Sequence, residues 1–350
     1  MNYYEKLLYI REIKEKLIDD ESKAIFDAKI DYMVTGNEES FVKEIWPFLN
    51  NMCCPDLSSH AMTGRNIVIF GSGHDGILTK KVLELCGYCI TCFCDSDRDK
   101  EGKAIEGLMV ISPEQLAERY KDCLVVLGSR VYLEEMYQQL VQMNFPTENI
   151  VLPEHRILLG CNRMQYFDVF GCGENEVFLD AGAYNGDTTK DFMAWTGGRY
   201  KKAIVLEPLE EQFEHIRNRS ESEGWNNIEL YKNAAWNCKE SLNFEVGGAG
   251  SHIVKEKAGL CVEGMDIDSI VNNEKVTYIK MDIEGSELQA LEGARKTIRT
   301  SMPRLAVCVY HKQQDIIDIP LKILSLMPDY KFYLRHYCTN SWETVLYATV

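Results

Sequence analysis

Apolar positions in the first 50 residues recur at three- and four-residue steps: Leu7, Ile10, Ile13 and Leu17, then more loosely Ile25, Ile30 and Met33. That spacing gathers them on one helical face, so a charged helical segment is expected here. The stretch NNMCCPDLSSHAMTGR breaks the pattern with Pro, Asn, Ser and Gly and reads as a linker. From Asn66 the pattern becomes one of short, continuously apolar runs separated by amphipathic stretches. NIVIF (66–70), YCITCFC, CLVVLGS (123–129) and the short NIVLP are strand candidates, with helix-like segments reaching Leu85, around PEQLAERY and in YLEEMYQQLVQM. Alternating strands and helices imply a parallel sheet covered on both faces.

A connector, EHRILLGCNRMQYFDVFGCGEN, leads to a second series that opens at EVFLDAG (176–182). Its strand candidates are EVFLD, KAIVLE, IELYK, VTYIKMD and RLAVCVY, with a closing pair YKFYLRHY and ETVLYATV. The expected fold class is therefore α/β, with two Rossmann-like three-layer domains behind an N-terminal helical segment. The expected boundaries are 1–60 for the helical segment and linker, 65–153 for a nucleotide-binding type of domain, 154–174 for the connector and 175–350 for the second domain.

Composition narrows this picture without changing it. The 350 residues are 45% hydrophobic and 26% charged, enough for two buried cores. A net charge of −16 argues against nucleic acid as a partner, because phosphate binding needs a basic face. No apolar run approaches the roughly 20 residues of a membrane helix, and MNYYEKLLYIREIKEKL has no secretory features. Thirteen cysteines, an odd number, fit reduced thiols, so a cytoplasmic protein is expected. Four of them sit in CGYCITCFCD at C-x-x-C spacings, which raises a metal site. Strand alternation sends Cys89 to one face and Cys92 and Cys94 to the other, so a buried strand is the expectation.

Two glycine turns carry the candidate chemistry. G-S-G-H-D-G places Gly71, Gly73 and Gly76 at dinucleotide spacing between a strand and a helix, with Asp95 ending the next strand. Those glycines permit close approach of a pyrophosphate and the acid can hold a ribose, so a second site for a nucleotide or NAD is a candidate here. D-A-G-A-Y-N-G-D differs. It offers Asp180, Gly182, Tyr184, Gly186 and Asp187, lacks the third glycine and adds an acid at the helix start. Two carboxylates beside a helix N-terminus suit a ligand carrying ammonium or sulfonium charge. The next strand ends in Glu207, placed to accept from both hydroxyls of a ribose, and the third ends at Asn233 and Ala234, which can line an adenine edge.

The fourth strand runs into YIKMDIEGSEL, with Asp282, Glu284 and Glu287 within six positions. Ser286 and Gln289 read as a capping box, which would assign Glu287 to a helix and leave Asp282 and Glu284 at the carboxyl end of the sheet. VFLDAGAYNGDTT, IVLEP, NAAW and above all YIKMDIEGSELQALEGA resemble the FkbM family of S-adenosylmethionine-dependent methyltransferases, over roughly residues 175–350. The K-x-D-x-E-G-x-E-x-x-x-L-x-G-A run is the specific part. The family's usual turn has Asn after Gly-Ala, where this chain has Tyr184 and then Asn185. The resemblance implies a class I methyltransferase fold with an antiparallel last strand, S-adenosyl-L-methionine as cofactor, and a small-molecule or carbohydrate hydroxyl as acceptor. The N-terminal unit is similar to Rossmann-like modules found beside enzymes of surface-polysaccharide modification.

Within that reading Asp282, Glu284 and His311 are the candidate catalytic residues, with His311 the general base at the end of the fifth strand. Asp282 also counts among the cofactor-binding set. No resident metal is expected, although a divalent ion bridging Asp282 and Glu284 is the alternative to a base. A homo-oligomer is compatible with the sequence. Two rival functions remain open: a nucleotide-sugar or NAD-linked enzyme run by the first domain, and a non-catalytic binding protein that keeps a cofactor fold.

Overall fold

The structure, a computed structural model, describes residues 3–53, 66–129, 131–152, 164–245, 252–253 and 260–350. Two compact units divide the chain: residues 1–41, 164–336 and 341–350 form one, and residues 42–163 with 337–340 form the other. Three helices open it, α1 (Tyr3–Lys16), α2 (Asp20–Thr35) and α3 (Glu38–Cys53). The first two belong to the unit that contains the C-terminal sheet. Asp19 caps α2 by accepting from Ser22 N at 2.8 Å and pairs with Arg335. Among the described residues no helix is long and apolar enough to cross a membrane.

The unit holding residues 66–152 contains β1 (Ile67–Phe70), α4 (His74–Leu85), β2 (Ile90–Cys94), β3 (Ala104–Ile105), β4 (Leu108–Ile111), α5 (Pro113–Arg119), β5 (Leu124–Leu127), α6 (Leu133–Gln142) and β6 (Ile150–Val151). Its sheet order is β3-β4-β2-β1-β5-β6, parallel except at β3. Every residue of β1 and β5 is buried, as central parallel strands with both faces covered should be. Cys92 and Cys94 pack in the core on one face of the sheet and Phe93 in the core on the other, while Cys89 is exposed. One cysteine departs from the expectation of reduced thiols: Cys86, at the C-terminus of α4, is disulfide-bonded.

In the other unit a seven-stranded sheet is built from β7 (Glu176–Ala181), β8 (Tyr200–Leu206), β9 (Ile228–Tyr231), β14 (Tyr278–Met281), β15 (Arg304–Cys308), β16 (Lys331–His336) and β17 (Thr344–Thr349). The order is β16-β17-β15-β14-β7-β8-β9. β9, β8, β7, β14 and β15 run parallel, and the last strand, β17, is antiparallel to both its neighbours. All seven expected strands are present. The chain leaves β7 in one direction through β8 and β9 and returns to its other side at β14, which makes the carboxyl ends of β7, β8 and β14 a topological switch point. The helices around this sheet include α7 (Asp187–Trp195), α8 (Glu210–Ser222), α9 (Ile267–Val271), α10 (Glu287–Gly293), α11 (Arg295–Ser301) and α12 (Asp315–Leu326).

A second sheet of four strands was not expected. It comprises β10 (Ala234–Trp236), β11 (Glu240–Glu245), β12 (His252–Ile253) and β13 (Leu260–Asp266), in the order β10-β13-β11-β12. Its strands are short, and alternate positions of β11 and β13 are exposed, so no continuous apolar run marks them. Leu242, Phe244 and Val262 form their own small core with Leu209 and Ala234.

Candidate active site

The turn after β7 is fixed from beneath. Gly182 has φ +83°, and a Cβ there would meet the backbone oxygen of Asp282 at 2.0 Å, so no side chain fits. Lys280 on the neighbouring strand is 2% exposed. Its ammonium donates to Gly182 O at 2.6 Å and stands 3.1 Å from Asp180 Oδ1. Asp180 is wholly buried and also accepts from Thr189 Oγ1 at 2.7 Å. A buried ammonium is tolerable only with such partners, and here they lock two strand ends together.

Asp180 therefore holds Lys280 and not a ligand, which corrects its expected role. Asp187 is also engaged elsewhere, accepting from Arg219 at 2.6 Å and from Asn185 Nδ2 at 2.7 Å. Gly186 packs against the ring of Trp225. None of the three lines the cavity at the switch point, so the negative end expected at this helix start is already neutralised by an arginine.

The other expected cofactor residues do converge. Gly182, Tyr184, Glu207, Asn233, Ala234 and Asp282 all line one cavity, together with Phe244, Ile253, Glu284, Tyr310 and Glu343. Glu207 is 5% exposed and is held by two backbone donors, Tyr184 N to Oε2 and Leu209 N to Oε1, each at 2.9 Å. A carboxylate offers about four acceptor positions, so one on each oxygen remains. Burial pushes the pKa of Glu207 up, opposed by those two backbone bonds. Asn233 spends its amide on Glu263 O at 3.3 Å. Three non-glycine lining residues hold left-handed backbone: Tyr184 at φ +51°, Glu284 at +54° and Glu343 at +55°. Such conformations cost free energy and concentrate where a site dictates the backbone.

Behind the part of the cavity wall formed by Asp282 and Glu284, the acids of the D-x-E-G-x-E run meet His311. Its Nε2 lies 3.3 Å from Asp282 Oδ1 and 3.4 Å from Glu284 Oε2, and its Nδ1 lies 3.0 Å from Glu287 Oε1. Tyr166, from the connector before β7, donates to Asp282 Oδ2 at 2.9 Å. The hydroxyl of Tyr310 stands 3.2 Å from Asp282 Oδ1 and 3.5 Å from Glu343 Oε1. Burial would raise the pKa of Asp282, but His311, Lys280 and the Tyr166 hydroxyl outweigh it and hold the carboxyl below its usual range. Burial and the neighbouring acids push Glu284 up, against the pull of His311. Glu343 is raised by burial first and by the charge of Asp282 second.

Two expectations fail in this corner. Burial would lower the pKa of His311, but Asp282 and Glu287 push it up to about 10. That shift moves the imidazole away from the range in which a general base works near neutral pH. The capping box is absent as well. Ser286 makes no side-chain cap bond, Gln289 Oε1 is buried without a partner, and α10 ends at Gly293. The left-handed pair Glu284 and Gly285 exposes backbone amides instead, and Glu287 folds back to accept from Ile283 N at 3.1 Å and Gly285 N at 3.4 Å.

The turn in the other unit is a contrast. Gly71 has φ +105°, and a Cβ on Gly76 would meet Gly71 O at 1.9 Å, so both glycines serve close packing, while Gly73 faces open space. Asp95 does not wait for a ribose. Its Oδ2 accepts from Ser72 N at 2.9 Å, Ser72 Oγ at 2.5 Å and Lys100 at 3.0 Å, and Oδ1 accepts from Asp97 N at 2.9 Å. Three of the four bonds fall on Oδ2 and one on Oδ1, so a single Oδ1 acceptor position remains.

Residues 180–334 match the family model described as the Methyltransferase FkbM domain, and residues 63–151 match the one described as C2185-like, N-terminal. The chain shares the fold of methyltransferase FkbM from Methylobacillus flagellatus KT at 20% identity, covering 92% of this chain and all of that one, with a TM-score of 0.51. An rRNA methylase from Streptococcus thermophilus is similar over 51% of this chain and 89% of its own, at 16% identity and a TM-score of 0.36. Aeropyrum pernix fibrillarin, solved with natively bound S-adenosyl-L-methionine, is similar over 51% of this chain and 69% of its own, at 12% identity and a TM-score of 0.34. No curated protein matches the chain.

Proposed function

We propose that this chain is an S-adenosylmethionine-dependent methyltransferase whose acceptor is a hydroxyl of a carbohydrate or another small molecule. The observation that carries this reading is the cavity at the switch point, lined within the segment that matches the methyltransferase model by Gly182, Tyr184, Glu207, Asn233, Ala234 and Asp282. In it Glu207 takes the ribose hydroxyls with its two remaining acceptor positions, and Asn233 and Ala234 border the adenine. The sulfonium end then points toward Asp282, Glu284 and Glu343, whose negative charge favours it.

Transfer is an in-line displacement. The acceptor oxygen forms a bond to the methyl carbon as the carbon–sulfur bond breaks, sulfur keeps the electron pair, and the hydroxyl proton leaves to a base. Positioning supplies most of the acceleration. Glu343 is the base we assign in place of His311. It lines the cavity, its backbone is held left-handed, Gln165 donates to its Oε2 at 2.7 Å, and burial lifts its pKa toward the working range of a proton acceptor. Glu343→Gln is expected to lower turnover by about 10²- to 10⁴-fold while S-adenosylhomocysteine binds as before.

Calorimetric titration with S-adenosylmethionine, S-adenosylhomocysteine, NAD and nucleotide sugars, followed by labelled-methyl transfer to a carbohydrate panel, tests the assignment. Binding of NAD or a nucleotide sugar with no response to either methionine-derived ligand would favour the rival run by the other unit.

A further inference from the structure

The corner around His311 has a geometry that the methyltransferase reading does not use. His311 is only 7% exposed at its side chain, and both ring nitrogens are buried without a directed hydrogen bond, although three carboxylates enclose them. An imidazolium paired for stability should donate along a line to at least one of them. The spacing fits a different occupant. A tetrahedral ion with ligand bonds of about 2.0–2.1 Å sets its donors about 3.3–3.4 Å apart. The Nε2 to Asp282 Oδ1 and Nε2 to Glu284 Oε2 separations are 3.3 and 3.4 Å, and one donor atom from each of the three residues falls within 4.8 Å of the others.

We infer that Asp282, Glu284 and His311 form a binding site for a divalent transition-metal ion, with Glu287 orienting the histidine. Ligating histidines almost always give their other nitrogen to a carboxylate, which fixes the ring and raises its basicity. Glu287 stands in that place, 1% exposed and 3.0 Å from Nδ1, and is itself held by Ile283 N and Gly285 N. Asp282 is oriented likewise by Tyr166. An imidazole beside two carboxylates suits manganese, cobalt or zinc better than magnesium or calcium, which prefer oxygen alone. Asp282 and Glu284 also line the cavity, so a further coordination position faces it. The inference deepens the reading above and rests on it only for the ion's role, which is to hold the acceptor oxygen beside the methyl group. Binding of the ion stands without it.

The test uses the full chain, stripped of metal with a chelator. It is titrated with Co²⁺ followed by visible absorption and with Mn²⁺ followed by electron paramagnetic resonance, while S-adenosylhomocysteine binding is measured in parallel. One ion per chain is expected, with a nitrogen coupling from histidine in the pulsed spectra of bound Mn²⁺. Glu287→Gln should weaken Co²⁺ by about 10- to 100-fold without changing S-adenosylhomocysteine affinity, and Glu284→Gln should weaken Co²⁺ by at least as much. Saturable S-adenosylhomocysteine binding with no saturable metal binding below millimolar concentration would overturn the site and leave the methyltransferase reading intact. Metal binding without S-adenosylhomocysteine binding would do the reverse. Full Co²⁺ affinity in both variants would overturn the assignment to these residues. Should either variant fail to fold, the wild-type nitrogen coupling decides, and its absence from bound Mn²⁺ sinks the proposal.

Discussion

The two strand–turn–helix units begin alike and spend their acids differently. In both, a glycine turn follows a fully buried strand and an acid closes the next strand: Asp95 after β2, Glu207 after β8. Asp95 accepts four bonds from its own chain, and its pKa is lowered by Ser72, Asp97 and Lys100 in spite of burial. Glu207 accepts two backbone bonds, lines a cavity and is raised by burial. An acid satisfied by its own chain holds a fold, whereas one left partly unsatisfied at a cavity wall is available to a ligand. That difference cannot be read from motif spacing, since the G-x-G-x-x-G turn has the better spacing and the worse vacancy.

The largest expected effect concerns what holds each turn. In the cavity-bearing unit it is Lys280, and Lys280→Met leaves Asp180 buried without its cation. The expected loss is about 3–5 kcal/mol, measured by urea unfolding of the transition that S-adenosylhomocysteine shifts. In the other unit Asp95 does the holding, and Asp95→Ala should cost about 1–3 kcal/mol through unsatisfied donors. Equal small losses in both would mean that neither turn depends on its buried charge.

Next comes the ligand itself. Glu207→Ala should weaken S-adenosylhomocysteine by about 1.5–3 kcal/mol, the range for hydrogen bonds to a charged group, in a protein that still folds. Asp95→Ala should leave that affinity unchanged. If Asp95→Ala lost it and Glu207→Ala did not, the comparison would be inverted.

The strands were legible in the sequence because buried parallel strands write themselves as unbroken apolar runs, and the strand-end residues Gly182, Glu207 and Asp282 followed from them. The rest was hidden for identifiable reasons. Tyr166, Tyr310 and Glu343 reach the site from a connector, from just beyond β15 and from the bend before β17, with no periodicity or motif to flag them. Lys280 opens the K-x-D-x-E-G run, but only its 2% exposure beside Asp180 makes it the clamp. The sequence puts His311 just beyond a strand end, but its surroundings are set by Asp282 and by Glu287, 24 positions earlier in the chain, which together push its pKa up. In each case the deciding contact joins residues that the chain separates.

The smallest effect is one of sign, and it separates the two acids most directly. The folded-state pKa of Asp95 is lowered, so its contribution to stability is full above its unfolded value of about 3.9 and is lost as pH falls through the folded one. The folded-state pKa of Glu207 is raised, so ionising it destabilises the native state. That cost is absent below its unfolded value of about 4.3 and grows as pH rises through the folded one. Replacing each acid by its amide removes the titration and leaves the geometry nearly intact. Wild type minus Asp95→Asn should therefore widen in stability from about pH 3 to neutrality, while wild type minus Glu207→Gln should narrow over the range that begins near pH 4. Chemical unfolding at several pH values, without ligand, reads both slopes. Parallel slopes would show that Glu207 is as fully satisfied by its own chain as Asp95 is, and would remove the reason for assigning a ligand to it.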